Sequence, residues 1–199
     1  MNWMKKLAIA STLTATILSF NVHAADATTS SYTVKSGDTF TRISNHYGVP
    51  IAAIQKINNR NNFMLYAGER ITIPSIPTSY ERNLLARLVY AEAKGEPYAG
   101  KVAVATVVLN RVDSKLFPNS VHGVITEVSS GGHYAFSPVA NGTIKLAADA
   151  ASKKAVEEAL MYRGQGSGSL YFYNPKTAQS EWIKSRPVTI KIGNHVFAR

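Results

Sequence analysis

The 199-residue sequence contains no cysteine. Disulfides, Cys-ligated metal sites and thiol nucleophiles are thereby excluded together. Acid is also scarce: 12 Asp and Glu stand against 22 Lys and Arg, for a formal charge of +10. No G-x-S-x-G elbow and no H-E-x-x-H pair occurs, which removes two common routes to hydrolysis. The Gly/Ser-rich stretch "GQGSGS" (164–169) follows a helical segment and precedes a strand, the wrong order for a phosphate loop, so it reads as a connector. His122, His133 and His195 are widely spaced, with no pair at zinc-ligand spacing. No metal and no other cofactor is expected.

One apolar run stands out, at the start. "MNWMKK" is basic, "LAIASTLTATILSF" is apolar, and "VHA" offers small residues for cleavage after Ala24. Residues 1–24 therefore read as a secretory signal peptide, and nothing later is long and apolar enough to span a bilayer. The segment holds two lysines and no acid, so its removal lowers the formal charge from +10 to +8. An exported basic chain is expected to meet a polyanion. The positive charge is spread out rather than blocked, which disfavours nucleic acid and suits an anionic cell wall.

Residues 25–31, "ADATTSS", read as a flexible lead. Residues 32–74 follow the order strand, helix, helix, strand. "YTV" alternates, "KSGD" turns, and Asp38 or Thr39 caps a helix carrying Phe40, Ile43 and Tyr47. Gly48 stops that helix, Pro50 starts the next, and Ile71 and Ile73 lie on a returning strand. Tyr32, Val34, Gly37, Asp38, Thr39, Phe40, Ile57, Asn58, Gly68 and "ITIP" at 71–74 make this unit resemble the LysM module. The resemblance implies binding of N-acetylglucosamine-containing glycans such as peptidoglycan and chitin. The sugar would lie between the 37–40 turn and the stretch from Asn58 to Ala67, with Gly37, Asp38, Thr39, Phe40, Asn58, Leu65 and Tyr66 as the expected contacts. A single copy should bind weakly and serve to concentrate an attached domain.

"SIPTS" (75–79) is a short linker. From 80 to 199 the pattern becomes mainly helical. Leu84, Leu85, Leu88 and Val89 recur at helical spacing until Gly95. Residues 102–109 are almost wholly apolar. Their β-branched side chains favour a strand, but their length and alanines favour a helix, which is the expectation. A further helix ends at Gly164. The tail is β: Val188, Ile190 and Ile192 alternate, Gly193-Asn194 turns into "HVFA", and "LYFYN" adds a third strand. The fold class is α+β, a small βααβ module followed by a mainly helical domain with a C-terminal antiparallel sheet.

With thiol, serine and zinc chemistry set aside, carboxylates remain. Glu157 and Glu158 share a lysine-rich helix and read as solvated; Glu81, Asp113 and Asp149 read as caps or dipole partners. Glu92 follows Leu88 by one helical turn, at the edge of the apolar face. Turned inward it would be desolvated and protonated near neutral pH, as a general acid must be; turned outward it would be ordinary surface charge. Position alone leaves both readings open. Glu96, between Gly95 and Pro97, is placed to cap the next helix.

"LVYAEAKGEPYAGKVAVATVVLNR", "FPNSVHGVI", "YAFSPVANG", "LYFYNP" and "IGNHVFAR" resemble the cell-wall hydrolase family of spore cortex-lytic enzymes across residues 80–199. The resemblance implies a lysozyme- or transglycosylase-like catalytic domain acting on peptidoglycan glycan strands. It implies Glu92 as catalytic acid, with Glu96 in the same motif and of catalytic or structural role. Asn110, Arg111, Tyr134, Phe136, Tyr173 and Asn174 are expected along a sugar groove. Lytic transglycosylase chemistry on the bond between N-acetylmuramic acid and N-acetylglucosamine is the leading expectation. A hydrolytic glycosidase, an amidase and a non-catalytic wall-binding protein are the alternatives. The expected location is outside the cell, on the wall or spore cortex.

Overall fold

A computed structural model describes residues 29–199. The signal peptide expected at 1–24 lies outside the described residues. The N-terminal module begins with β1 (Ser30–Thr33), which pairs antiparallel with β2 (Arg70–Ile73) in the register Ser30↔Ile73 to Thr33↔Arg70. Ser30 and Ser31, expected in the lead, are therefore in the strand; backbone pairing does not require apolar side chains. Between the strands lie α1 (Phe40–Tyr47) and α2 (Ile51–Ile57). Thr39 is the N-cap, its hydroxyl accepting the Arg42 N–H at 3.2 Å, and Gly48 ends α1 in the left-handed conformation at φ 63°. Val34, Phe40, Ile43, Val49, Ala53, Ile54, Ile71 and Ile73 form the module's own buried core.

The C-terminal domain starts with α3 (Ser79–Ala93), closed at its N-terminus by a capping box. The Thr78 hydroxyl accepts the Glu81 N–H, and the Glu81 carboxylate accepts the Thr78 N–H at 2.9 Å. Glu81 also accepts the His122 N–H at 3.2 Å, tying the start of α3 to α5 (Val121–Thr126). Leu84, Leu85, Leu88 and Val89 are all buried, as their spacing predicts. The apolar stretch is helical: α4 (Tyr98–Val112) buries Val104, Ala105, Val107, Val108 and Leu109 and packs against α3, α5 and α7 (Ala150–Met161). A helix surrounded by helices is apolar on most faces, which is why its periodicity was blurred.

Between α5 and α7 lie the short α6 (Ser137–Ala140) and a 3₁₀ turn at Thr143–Lys145. After α7 come β3 (Tyr171–Tyr173), α8 (Glu181–Lys184), β4 (Val188–Ile192) and β5 (His195–Ala198). The three strands form an antiparallel sheet in the order β3-β5-β4. β5 is buried along its whole length, and Phe197 joins the core of the domain. The whole is the α+β arrangement expected.

Candidate active site

The α3–α4 turn is built tightly. The Glu96 N–H bonds to the Ala93 carbonyl at 3.1 Å, and the Lys101 ammonium, buried, reaches back to the same carbonyl at 2.9 Å. Lys101 thus satisfies the open carbonyl end of α3 and complements its dipole. Glu92, on the last turn of α3, follows the fully buried Leu88 and precedes the fully buried Ala93. Its side chain is half-buried and has no hydrogen bond or ion pair among the described residues. Burial pushes its carboxyl up to about 7 from the ordinary 4.5. Nothing nearby offsets the lost hydration, so the neutral form is favoured.

Glu96 behaves oppositely, and its expected role needs correction. The N-cap position of α4 is Pro97, with no side-chain cap bond. The Glu96 carboxylate instead turns to the β4–β5 hairpin, accepting the Asn194 N–H at 2.9 Å and the Asn194 side-chain amide at 3.1 Å. Desolvation pushes Glu96 up, but the two Asn194 hydrogen bonds, aided by His195 and Lys101, hold it below the ordinary value. Gly193, at φ 58°, faces this carboxylate so closely that a Cβ would overlap it. The hairpin tip and the Glu96 loop therefore hold each other in place.

Beside that tip, an open cavity of about 340 Å³ lies between the end of β3 and the β4–β5 turn. Tyr173, Asn174, Lys176, Lys191, Asn194 and His195 line it. His195 is buried, tilts against Phe172 at 5.3 Å between ring centres, and has a buried Nδ1 with no partner among the described residues. Burial lowers its pKa, against the pull of the Glu96 charge. Tyr173 and Asn174 thus lie together at a concave surface, and Tyr134 is exposed on the loop before α6.

Three other expected groove residues are placed inside the protein. Phe136 is 4% exposed and stacks on Phe172 at 6.3 Å. The Arg111 side chain donates to the Leu170 carbonyl at 2.8 Å, and its guanidinium lies against the rings of Phe117, Phe136 and Tyr171. Asn110 is buried and donates to the Ser169 carbonyl at 2.9 Å. Asn110 and Arg111 bolt α4 to the segment entering β3, because buried polar groups at the end of a packed helix must find partners. They are not open to a groove.

In the N-terminal module, Gly37 takes φ 84°, and Asp38 accepts the Tyr32 hydroxyl at 2.6 Å and the Lys35 N–H at 2.8 Å. Phe40 is core, and the Asn58 side chain is fully engaged, with Ile54 O, Thr72 O and Thr72 N. Leu65 is half-buried, while Tyr66 is exposed, as are Phe63 and Met64 beside it. Gly193, Asn194, Lys176, Lys191 and His195 gain their place only from folding. The "GN" of the hairpin marks a turn in the sequence, but nothing local marks it as the partner of Glu96.

The domain is thus a helical one whose last α3 turn carries a half-buried carboxyl, Glu92, with no partner among the described residues, next to a loop that the β4–β5 hairpin holds through Glu96. Residues 95–198 match the Cell Wall Hydrolase family model, and residues 32–74 match that of the LysM domain. The chain belongs to the Cell Wall Hydrolase family. It is 46% identical over 128 residues to the spore cortex-lytic enzyme of Bacillus cereus, covering 63% of this chain and 48% of that one. It thus spans about half the length of the curated relatives it matches. The catalytic domain of the germination-specific lytic transglycosylase SleB from Bacillus anthracis superposes with a TM-score of 0.57 at 44% identity, over 64% of this chain and all of that one. The catalytic domain of the Bacillus cereus SleB protein does so with a TM-score of 0.57 at 45% identity, over 64% and 95%.

Proposed function

We propose that this chain is an exported peptidoglycan-degrading enzyme. Residues 80–199 would cut glycan strands between N-acetylmuramic acid and N-acetylglucosamine, and residues 32–74 would hold the wall. The observation that carries this reading is the Glu92 carboxyl, half-buried, unpaired and raised to about 7. A carboxyl in that state is a proton donor near neutral pH. The named chemistry of the SleB relatives supports the reaction class.

In the proposed reaction, Glu92 in its acid form protonates the glycosidic oxygen as the bond to the anomeric carbon breaks. Positive charge develops on the sugar ring in an oxocarbenium-like transition state. The carboxylate then takes the proton from the sugar's own 6-hydroxyl, whose oxygen attacks the anomeric carbon. The product is a 1,6-anhydro sugar, the proton balance closes on Glu92, and no water is consumed. A hydrolase would ordinarily call on a second carboxylate. Glu181, one candidate, is an exposed side chain paired with Lys184 at 2.8 Å.

Mass spectrometry of purified peptidoglycan digested with wild type and with Glu92→Gln tests this. Fragments lighter by one water, present with wild type and absent with the variant, are expected. Reducing-end muramic acid would replace the transglycosylase reading with hydrolysis, and equal cutting by the variant would remove Glu92 from the role. Export would be checked by fractionation, where the mature chain should begin after Ala24.

A further inference from the structure

The LysM module does not hang from the linker; it is seated on the C-terminal domain. Arg163, just after α7, forms a two-point pair with Asp113 at the end of α4, at 3.0 and 2.6 Å, with both side chains 3% exposed. Its third nitrogen donates to the Ser75 carbonyl of the linker at 2.6 Å. A guanidinium used on all sides is a rigid joint, since its planar fork fixes direction as well as distance. The neighbouring Gly164, at φ 89°, lies directly against α2. A Cβ there would overlap the Ala52 carbonyl group and the Ala53 nitrogen. The Lys56 ammonium, on α2, donates to the Asn110 Oδ1 at 2.9 Å.

The seated face of the module runs through Gly48, Val49, Pro50, Ala52, Ala53 and Lys56. The expected sugar-contacting segment is elsewhere, and its apolar side chains stay open: Phe63 is 72% exposed, Met64 56% and Tyr66 61%. Docking therefore consumes one side of the module and leaves the glycan side free.

Resting on the proposed activity, we infer that the LysM module is a fixed distal subsite of the enzyme rather than a tether. The Arg163–Gly164 seam holds its glycan groove at a set offset from Glu92, and that offset selects which bond of a bound strand is cut. A flexibly attached module raises local concentration without favouring any bond. A rigidly attached one imposes a register, and products acquire a preferred length.

The test uses the full mature chain and two variants that spare Glu92 and the 58–67 segment. Gly164→Ala adds a methyl where the α2 backbone lies. Lys56→Glu replaces the cation facing Asn110 and brings a carboxylate toward Asp113. In the wild type, backbone relaxation should give both modules one shared rotational correlation time, and limited digestion of long strands should give a preferred product length. In the variants the LysM amides should tumble faster, and the preferred length should be lost while bonds are still cut. Separate tumbling in the wild type overturns the inference. So does an unchanged product length in a variant whose modules tumble separately, and single-body tumbling in both variants overturns the assignment to this seam. A wild type that cuts no strand would instead remove the activity beneath the inference, a result distinguishable because relaxation judges the seam by itself.

Discussion

At Glu92, the proposed function and stability pull in opposite directions. Its folded pKa lies near 7 and its unfolded value near 4.5. The folded state therefore holds the proton more tightly, and the site's contribution to stability is fully present below about 4.5 and lost as pH rises through 7. Glu92→Gln cannot ionise, so it should be more stable than wild type at pH 8, by on the order of 2–3 kcal/mol. The two should converge near pH 4, and urea denaturation at both pH values checks the crossover. Wild-type cleavage should fall as pH rises through about 7, because the acid form is the working form in the proposed reaction. A pH–rate profile flat to pH 9 would contradict this.

The helix ends and the hairpin tip carry the predictions at the scale of elements. Thr78→Ala removes half of the capping box of α3 and should cost about 1 kcal/mol. Glu81→Ala should cost more, about 2–3 kcal/mol, because it strands the partly buried Thr78 and His122 N–H groups together. Thermal denaturation ranks the two. Gly193→Ala should loosen the hairpin from the Glu96 loop, lowering both melting temperature and activity, since its φ of 58° and the nearby carboxylate leave no place for a methyl. Much of this was legible in the chain. Caps, glycine stops, the Leu84–Val89 stripe and the alternation at 188–192 are signals within a few residues of each other. What escaped were partnerships across distance. Glu96 looked like a cap because its local setting is that of a cap; its true partner, Asn194, is 98 residues away. Asn110 and Arg111 looked available because polar residues at a helix end usually are, and it takes residues 169–170, the rings around Arg111 and Lys56 of the first module to cover them. Asp113 read as a helix-end charge, and Arg163 carried no mark at all.

For the molecule as a whole, charge and the seam decide behaviour. A chain cut after Ala24, as proposed, carries +8 and should adsorb to anionic sacculi in a salt-dependent way. A pull-down repeated from low to high ionic strength should show binding weaken toward the part the LysM groove retains alone. The Asp113–Arg163 pair should be intolerant of one-sided change. Asp113→Ala leaves a guanidinium buried without its counter-charge and should cost about 3–5 kcal/mol, read by denaturant unfolding.

The sheet order β3-β5-β4 has a consequence for synthesis. The middle strand is the last of the three to leave the ribosome, and it brings Phe197 to the core. Until residue 198 emerges, β3 and β4 have no neighbour in the sheet to pair with, and the Glu96 loop has no hairpin to grip. A sheet whose centre strand comes last forms as a unit, so the grip of Asn194 on the Glu96 loop is present whole or not at all.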